Sequence, residues 1–207
     1  MKIAVVGAVG VVGSRVLTEA ARRGHDLVAI VRTRRLEVPG VTVVEADAGD
    51  PHRMAALFAG TDAVVAAARP APGEEHTVAA TTTALLDAAA AAGTRVLVVG
   101  GAAPLRVPGG GLVLDDPRYV PARYRAIAAA SAAQLEACRA HPAADWVYLS
   151  PPAVLEPGVR TGVYRRGTTT LLARPDGTSG ISAEDLAAAV LDELEDAGPD
   201  RHFTVGR

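Results

Sequence analysis

Short runs rich in Val, Ile and Leu alternate along this chain with longer segments whose apolar residues recur every three or four positions. The runs at 2–6, 26–31, 41–46, 62–67, 95–99, 145–149 and 202–205 predict strands. Most are apolar throughout instead of alternating, the pattern of strands covered by helices on both faces. Segments near 11–23, 51–59, 75–92, 121–140 and 182–197 predict helices. Asp50-Pro51 supplies an N-cap followed by proline at the first helical position. Ser182, with Asp185 three residues on, has the spacing of a capping box. Gly24, Gly60, Gly93 and Gly198 each stand between a helical segment and a strand, where a left-handed cap is wanted. Strict alternation of strand and helix predicts an α/β fold, one domain over 1–207 with a doubly wound, mostly parallel sheet of about 7–8 strands. Ligands of such sheets lie outside the carboxyl ends of the strands. Two Pro/Gly-rich stretches, about 101–121 and 151–166, follow predicted strands and are expected to hang over that crevice on the substrate side.

Composition narrows the field. With 49% hydrophobic and 21% charged residues, the 207-residue chain has the makings of a folded core, not of a disordered segment. No stretch free of Asp, Glu, Lys and Arg exceeds the 12 residues from Ile3 to Ser14, short of the ~18 needed to cross a bilayer. The opening residues fit neither a signal nor a transit peptide. The lone Cys138 cannot close an internal disulfide, so the expected compartment is the reducing cytoplasm. A net charge of −2 argues against a nucleic-acid face. The expected partner is a small molecule, and the chain is expected to be a monomer or homodimer. All but one of the 21 basic residues are Arg; the single Lys is Lys2, which excludes any mechanism that needs a lysine in the interior.

The first chemical signal is Gly7-Ala8-Val9-Gly10-Val11-Val12-Gly13, between the first strand and the first helix. Gly7 allows a tight turn, Gly10 lets backbone approach a phosphate, and Gly13 lets helix and strand pack closely. Amides at the helix start and the helix dipole then attract a pyrophosphate. An acid normally stands about 20 residues later to bind the 2′-hydroxyl of NAD. Here Arg32 stands 19 residues after Gly13, followed by Thr33, Arg34 and Arg35. A guanidinium suits a 2′-phosphate, so NADP(H) is expected in preference to NAD(H).

With Val31-Arg32, Glu45-Ala46-Asp47, Val98-Val99-Gly100-Gly101 and Leu149-Ser150-Pro151-Pro152, this turn resembles that of the NAD(P)H-binding, NmrA-like atypical short-chain dehydrogenases. The branch with biliverdin reductase B and flavin reductase is the most similar. The resemblance implies a Rossmann fold and places Asp47 and Ala48 by the adenine. It places Ala66, Ala67, Ala68 and Arg69 along the middle of the cofactor. Gly100, Gly101, Pro151, Pro152, Ala153 and Val154 fall by the nicotinamide. Val9 departs from the group, which usually carries Thr there.

The usual proton machinery is missing. Short-chain dehydrogenases pair a Tyr with a Lys that lowers its pKa, and no Lys follows Lys2. Tyr119 and Arg123 keep the spacing, and Tyr124 lies on the same predicted helix; each Tyr reads either as a weak catalytic candidate or as packing under a loop. The serine expected after the fifth strand is replaced by Gly100-Gly101, which reads either as clearance over a nicotinamide or as a turn. The five histidines lack metal-ligand spacing and read as surface or capping residues, so no metal is expected. Cys138 and Trp146 read as core, and 192–196 as a solvated acidic face. The expectation is an NADPH-dependent reductase of a quinone, flavin or carbonyl compound, acting without metal. The alternative is a non-catalytic NADP(H)-binding sensor or regulator. A sugar-nucleotide epimerase would need the missing Tyr-x-x-x-Lys.

Overall fold

A computed structural model describes residues 1–33 and 38–207. The chain runs β1 (Lys2–Val6), α1 (Val11–Arg22), β2 (Asp26–Val31), β3 (Val41–Glu45), α2 (Pro51–Phe58), β4 (Ala63–Ala66), α3 (Val78–Ala92) and β5 (Arg95–Val99). It continues with α4 (Arg125–Ala140), β6 (Trp146–Ser150), β7 (Val154–Glu156), β8 (Arg165–Gly167), β9 (Gly180–Ser182), α5 (Ala183–Glu195) and β10 (His202–Gly206). Eight strands form one sheet in the order β3-β2-β1-β4-β5-β6-β10-β8. All of its pairings are parallel except that of β8, which runs antiparallel to β10 at the edge. This is the doubly wound Rossmann architecture, with the order reversing on either side of β1.

Successive side chains of a strand point to opposite faces, which splits each apolar run between two cores. Ile3 and Val5 join α1 and α5 on one face; Ala4 and Val6 join Met54, Leu86 and Leu135 of α2, α3 and α4 on the other. Leu105, Val107 and Val113 of the 101–121 stretch form a third cluster with Leu171. In the 151–166 stretch, β7 pairs with β9 as a separate two-stranded ribbon.

The caps behave as their chemistry dictates. Asp50 accepts from the Arg53 amide at 3.0 Å, and Ser182 from the Asp185 amide at 3.1 Å. Gly93 closes α3 in the left-handed region. Gly198 differs: it is not among the glycines with positive φ, and a Cβ there would strike the Arg166 guanidinium. The helix expected over 121–140 begins at Arg125, because Pro121 leads into a 3-10 turn over Ala122–Tyr124. The acidic run at the end of α5 is solvent-exposed at Asp192, Glu195 and Asp196, as expected, but not at Glu193. Glu193 is 1% exposed and pairs with Arg95 at 3.0 Å and Arg166 at 2.7 Å. Asp192 and Glu195 both pair with Arg23.

Candidate functional site

The glycine turn stands where the topology requires it, beyond the carboxyl end of β1. Gly7 has φ +81°, and its amide donates to the Ile30 carbonyl at 3.2 Å. A Cβ on Gly7 would come within 2.7 Å of the Ala67 and Ala68 backbone, so the turn is pressed against the end of β4. A Cβ on Gly13 would overlap the Gly7 carbonyl, so the glycine lets α1 lie against the turn. Gly10 caps α1 with no side-chain hydrogen bond, and no acid stands in the first turn. The first amides of a helix have no intrahelical partner, and here they attract anions without competition from a carboxylate. Ala8 is buried and Val12 packs against the core, whereas Val9 and Val11 are 60% and 50% exposed.

Other expected residues ring the same crevice. Arg32 and Thr33 are exposed just past β2, and no carboxylate of the described residues pairs with Arg32. Arg34 and Arg35 lie outside the described residues. Asp47 is exposed after β3 and accepts from the Gly49 amide at 2.9 Å, with Ala48 half-buried beside it. Ala66 ends β4 in the core, and Ala67, Ala68 and Arg69 lead outward from it. Pro151 and Pro152 are buried after β6, followed by half-buried Ala153 and by Val154, half-exposed in β7.

Gly100 and Gly101 have a different reason to be glycine from the one expected. A Cβ on Gly100 would overlap the Tyr148 phenol, and one on Gly101 would stand 2.8 Å from the Ser131 hydroxyl. The space that the missing side chains leave is taken by the protein itself. Tyr148 is fully buried, donates to the Ser131 carbonyl at 2.9 Å, and is pushed above its ordinary pKa by that burial.

The two candidate tyrosines separate. Tyr119 is not on a helix with Arg123; it lies before Pro121, packed against the Leu105 cluster, and its hydroxyl donates to the Gly177 carbonyl at 3.2 Å. Arg123 instead lies over the Tyr124 ring, 4.7 Å from its centroid. Its hydrogen bond and charge hold the Tyr124 phenol below the ordinary tyrosine value. Beside this pair, Arg69, Pro70, Pro72, Glu75, Ala126 and Ile127 complete a cleft of about 180 Å³. The residues at 101–121 therefore do not supply a Tyr–Arg pair at helical spacing.

Of the histidines, His202 departs from the expectation of a surface or capping residue. It is 9% exposed in β10, faces the Ser150 hydroxyl at 2.9 Å, and is lowered to about pKa 4 by burial. Cys138 is buried as expected, its thiol pushed up to about 12 by burial. Trp146 is core. Among the described residues, no group of three or more His, Cys, Asp and Glu could hold a metal ion. No described helix is long and apolar enough to cross a membrane.

Sequence reasoning passed over the side chains that brace the substrate-side stretch. Asp185, fully buried at the start of α5, accepts from the Thr161 and Gly162 amides at 2.7 and 2.8 Å and from the Thr161 hydroxyl at 2.7 Å. Arg160 grips buried Glu19 of α1 through two hydrogen bonds, of 2.7 and 2.9 Å. Tyr164 is hydrogen-bonded to Asp192. A polar residue inside an apolar helix pattern, as at Glu19 and Asp185, was the available signal.

Uncapped amides at α1, backbone packed too closely for a Cβ at Gly7 and Gly13, and an uncommitted guanidinium past β2 form a donor set that fits the phosphates of a dinucleotide. The comparisons agree. A family described as NAD(P)H-binding matches residues 7–197. The uncharacterized protein YwnB of Bacillus subtilis is 38% identical over 200 residues, covering 94% of this chain and 92% of its own. A solved structure from Burkholderia pseudomallei, provisionally named an exported protein, is 39% identical with a TM-score of 0.90, and each chain is covered in full. One from Streptococcus pneumoniae, provisionally named an NADH-flavin reductase, is 28% identical with a TM-score of 0.89, covering 100% of this chain and 99% of that one. The fold is that of NAD(P)-dependent oxidoreductases, and the chain belongs to the NAD(P)H-binding family.

Proposed function

We propose that this protein is an NADPH-dependent reductase of a small or planar acceptor, a quinone, flavin or carbonyl compound. The observation that carries the reading is Arg32, exposed past β2 and unpaired among the described residues where an NAD site would keep an acid. In this reading the turn from Gly7 to Gly13 holds the pyrophosphate, and Arg32 grips the 2′-phosphate with two parallel hydrogen bonds. Asp47 and Ala48 line the adenine side, Ala66 to Arg69 the middle, and Pro151 to Val154 the nicotinamide end. A reduced nicotinamide, when bound, supplies the hydride. Buried Pro151 and Pro152 keep water from that end of the crevice. The proton comes from solvent or from Tyr124, whose phenol Arg123 holds below its ordinary pKa. Tyr119, bonded to Gly177, takes no part. The provisional name of the Streptococcus pneumoniae structure points to the same acceptor class.

The test is cofactor preference. NADPH is expected to bind about 10–100-fold more tightly than NADH, and Arg32→Asp to reverse the order. Equal affinities by calorimetry would sink the assignment. An NADPH-oxidation screen over quinones, flavins and aldehydes then names the acceptor. A cofactor-state sensor is the second reading, favoured by Tyr119 and Arg123 forming no pair; NADPH binding with no turnover in that screen would select it.

A further inference from the structure

We propose that the cleft bounded by Arg69, Arg123 and Tyr124 holds an anionic substituent, a carboxylate or phosphate, of the planar acceptor. The proposal rests on the reductase reading and narrows it from a planar compound to one that carries a negative charge. Among the described residues, ten arginines between Arg15 and Arg207 form ion pairs with carboxylates. Arg69 and Arg123 form none among the described residues, although both line one cleft. Among the described residues lining it, Glu75 supplies the one carboxylate, against the two positive charges of Arg69 and Arg123.

Volume decides what fits. At about 180 Å³ the cleft is too small for a whole acceptor, since ligand pockets run to ~300–1,000 Å³, but it suits a charged substituent and the edge of a ring. Its position agrees. Arg69 and Pro70 follow the carboxyl end of β4, and Tyr124, Ala126 and Ile127 open α4, so the cleft adjoins the cofactor crevice. Pro70 and Pro72 fix their own φ angles, and Pro70, Pro72, Ala126 and Ile127 give the site apolar walls that strengthen a charge contact. Arg123 is oriented by its contact with Tyr124, and its guanidinium has donors beyond the one that meets the phenol to offer an oxyanion. The lowered pKa of the Tyr124 phenol reports the same positive field, to which Arg69 also contributes.

The probes are anthraquinone-2-carboxylate with neutral 2-(hydroxymethyl)anthraquinone, and FMN with riboflavin. Each is titrated calorimetrically into the full chain with NADP⁺ saturating the cofactor site. The charged member of at least one pair is expected to bind at least about tenfold more tightly than its neutral analogue. Arg123→Gln should remove most of that advantage while moving neutral-probe and NADP⁺ affinity by less than about twofold. Arg69→Gln, at a residue that also borders the cofactor, should remove most of it once NADP⁺ is saturating. The pair with the larger advantage identifies carboxylate or phosphate. Equal affinity within both pairs overturns the proposal, as does no binding of any probe. Loss of NADP⁺ affinity in Arg123→Gln overturns it too, since that arginine then belongs to the cofactor. If wild-type protein fails to bind NADP⁺, the reductase reading falls, and the same titrations without NADP⁺ judge the cleft by itself.

Discussion

Three glycines in one turn do different work, and a side chain added at each should fail differently. Gly13 is buried in the first turn of α1, where any Cβ overlaps the Gly7 carbonyl. Gly13→Val should therefore cost more than about 2 kcal/mol of stability, a backbone shift being the only relief. Gly10 has φ −71° and ψ 169°, which an ordinary residue adopts, and its Cβ would meet the Gly7 carbonyl at 3.2 Å and the Ala67 carbonyl at an ordinary 3.9 Å. Its side chain would instead fill the approach to the first-turn amides. Gly10→Val should keep a melting temperature within a few degrees of wild type, where about 1 kcal/mol corresponds to 2–4 °C in a chain of this size. NADP⁺ affinity should fall at least about tenfold. Thermal melts and calorimetry on the two variants check the contrast; equal affinity in Gly10→Val and wild type would remove the turn from the cofactor site.

At the scale of elements, one buried carboxylate ties a substrate-side stretch to a helix. Asp185 is fully buried, and burial alone would raise its pKa; the bonds from Thr161 and Gly162 prevail and hold it below the ordinary value. Asp185→Asn would replace one acceptor oxygen by an amide that faces N–H groups, at a cost of about 2–4 kcal/mol. Hydrogen exchange should show the Thr161 and Gly162 amides opening before the sheet does, and protection equal to wild type would disprove the tie. The apolar pattern around Asp185 signalled its burial, but its partners were not legible in the chain, because Asp185 read as half of a capping box and the 151–166 stretch as loop. What was legible was local. β1, β2 and β5 occupy the residues their apolar runs mark, and the caps at Asp50 and Ser182 are one-turn interactions. β7, β8 and β9 have three residues each and pair with strands far along the chain, so no periodicity announces them. The site divides in the same way. The glycine turn and Arg32 carry a local spacing, whereas the filling of Gly100 by Tyr148 and the pairing of Arg123 with Tyr124 instead of Tyr119 follow from packing and from a 3-10 turn after Pro121.

For the molecule as a whole, the buried groups set how folding responds to acid. His202 lies in the sheet between β6 and β8, its Nε2 facing the Ser150 hydroxyl and its Nδ1 without a partner. A proton on that ring would place a charge in the core with no acceptor for one of its donors, and burial lowers its pKa to about 4 from 6.5. The unfolded chain thus binds more protons than the native one between those values. Stability contributed by this histidine is complete above pH 6.5, falls as the pH drops, and is gone near pH 4. The gap is worth on the order of 3 kcal/mol. Glu19 acts in a lower window. Arg22 first, then Arg160 and Arg23, hold its carboxyl below the ordinary 4.5, so its contribution is full above that value and is lost as the pH falls further below it. Urea unfolding followed from pH 7 to pH 5 therefore separates the histidine from Glu19, and a His202 variant separates it from the other histidines. Wild-type stability should decline steadily over that range, and His202→Gln, which cannot take up the proton, should show most of the decline removed even if its stability at pH 7 is lower. A wild-type stability that stays flat from pH 7 to pH 5, or a variant that declines as steeply as wild type, would show that His202 does not control the acid limb.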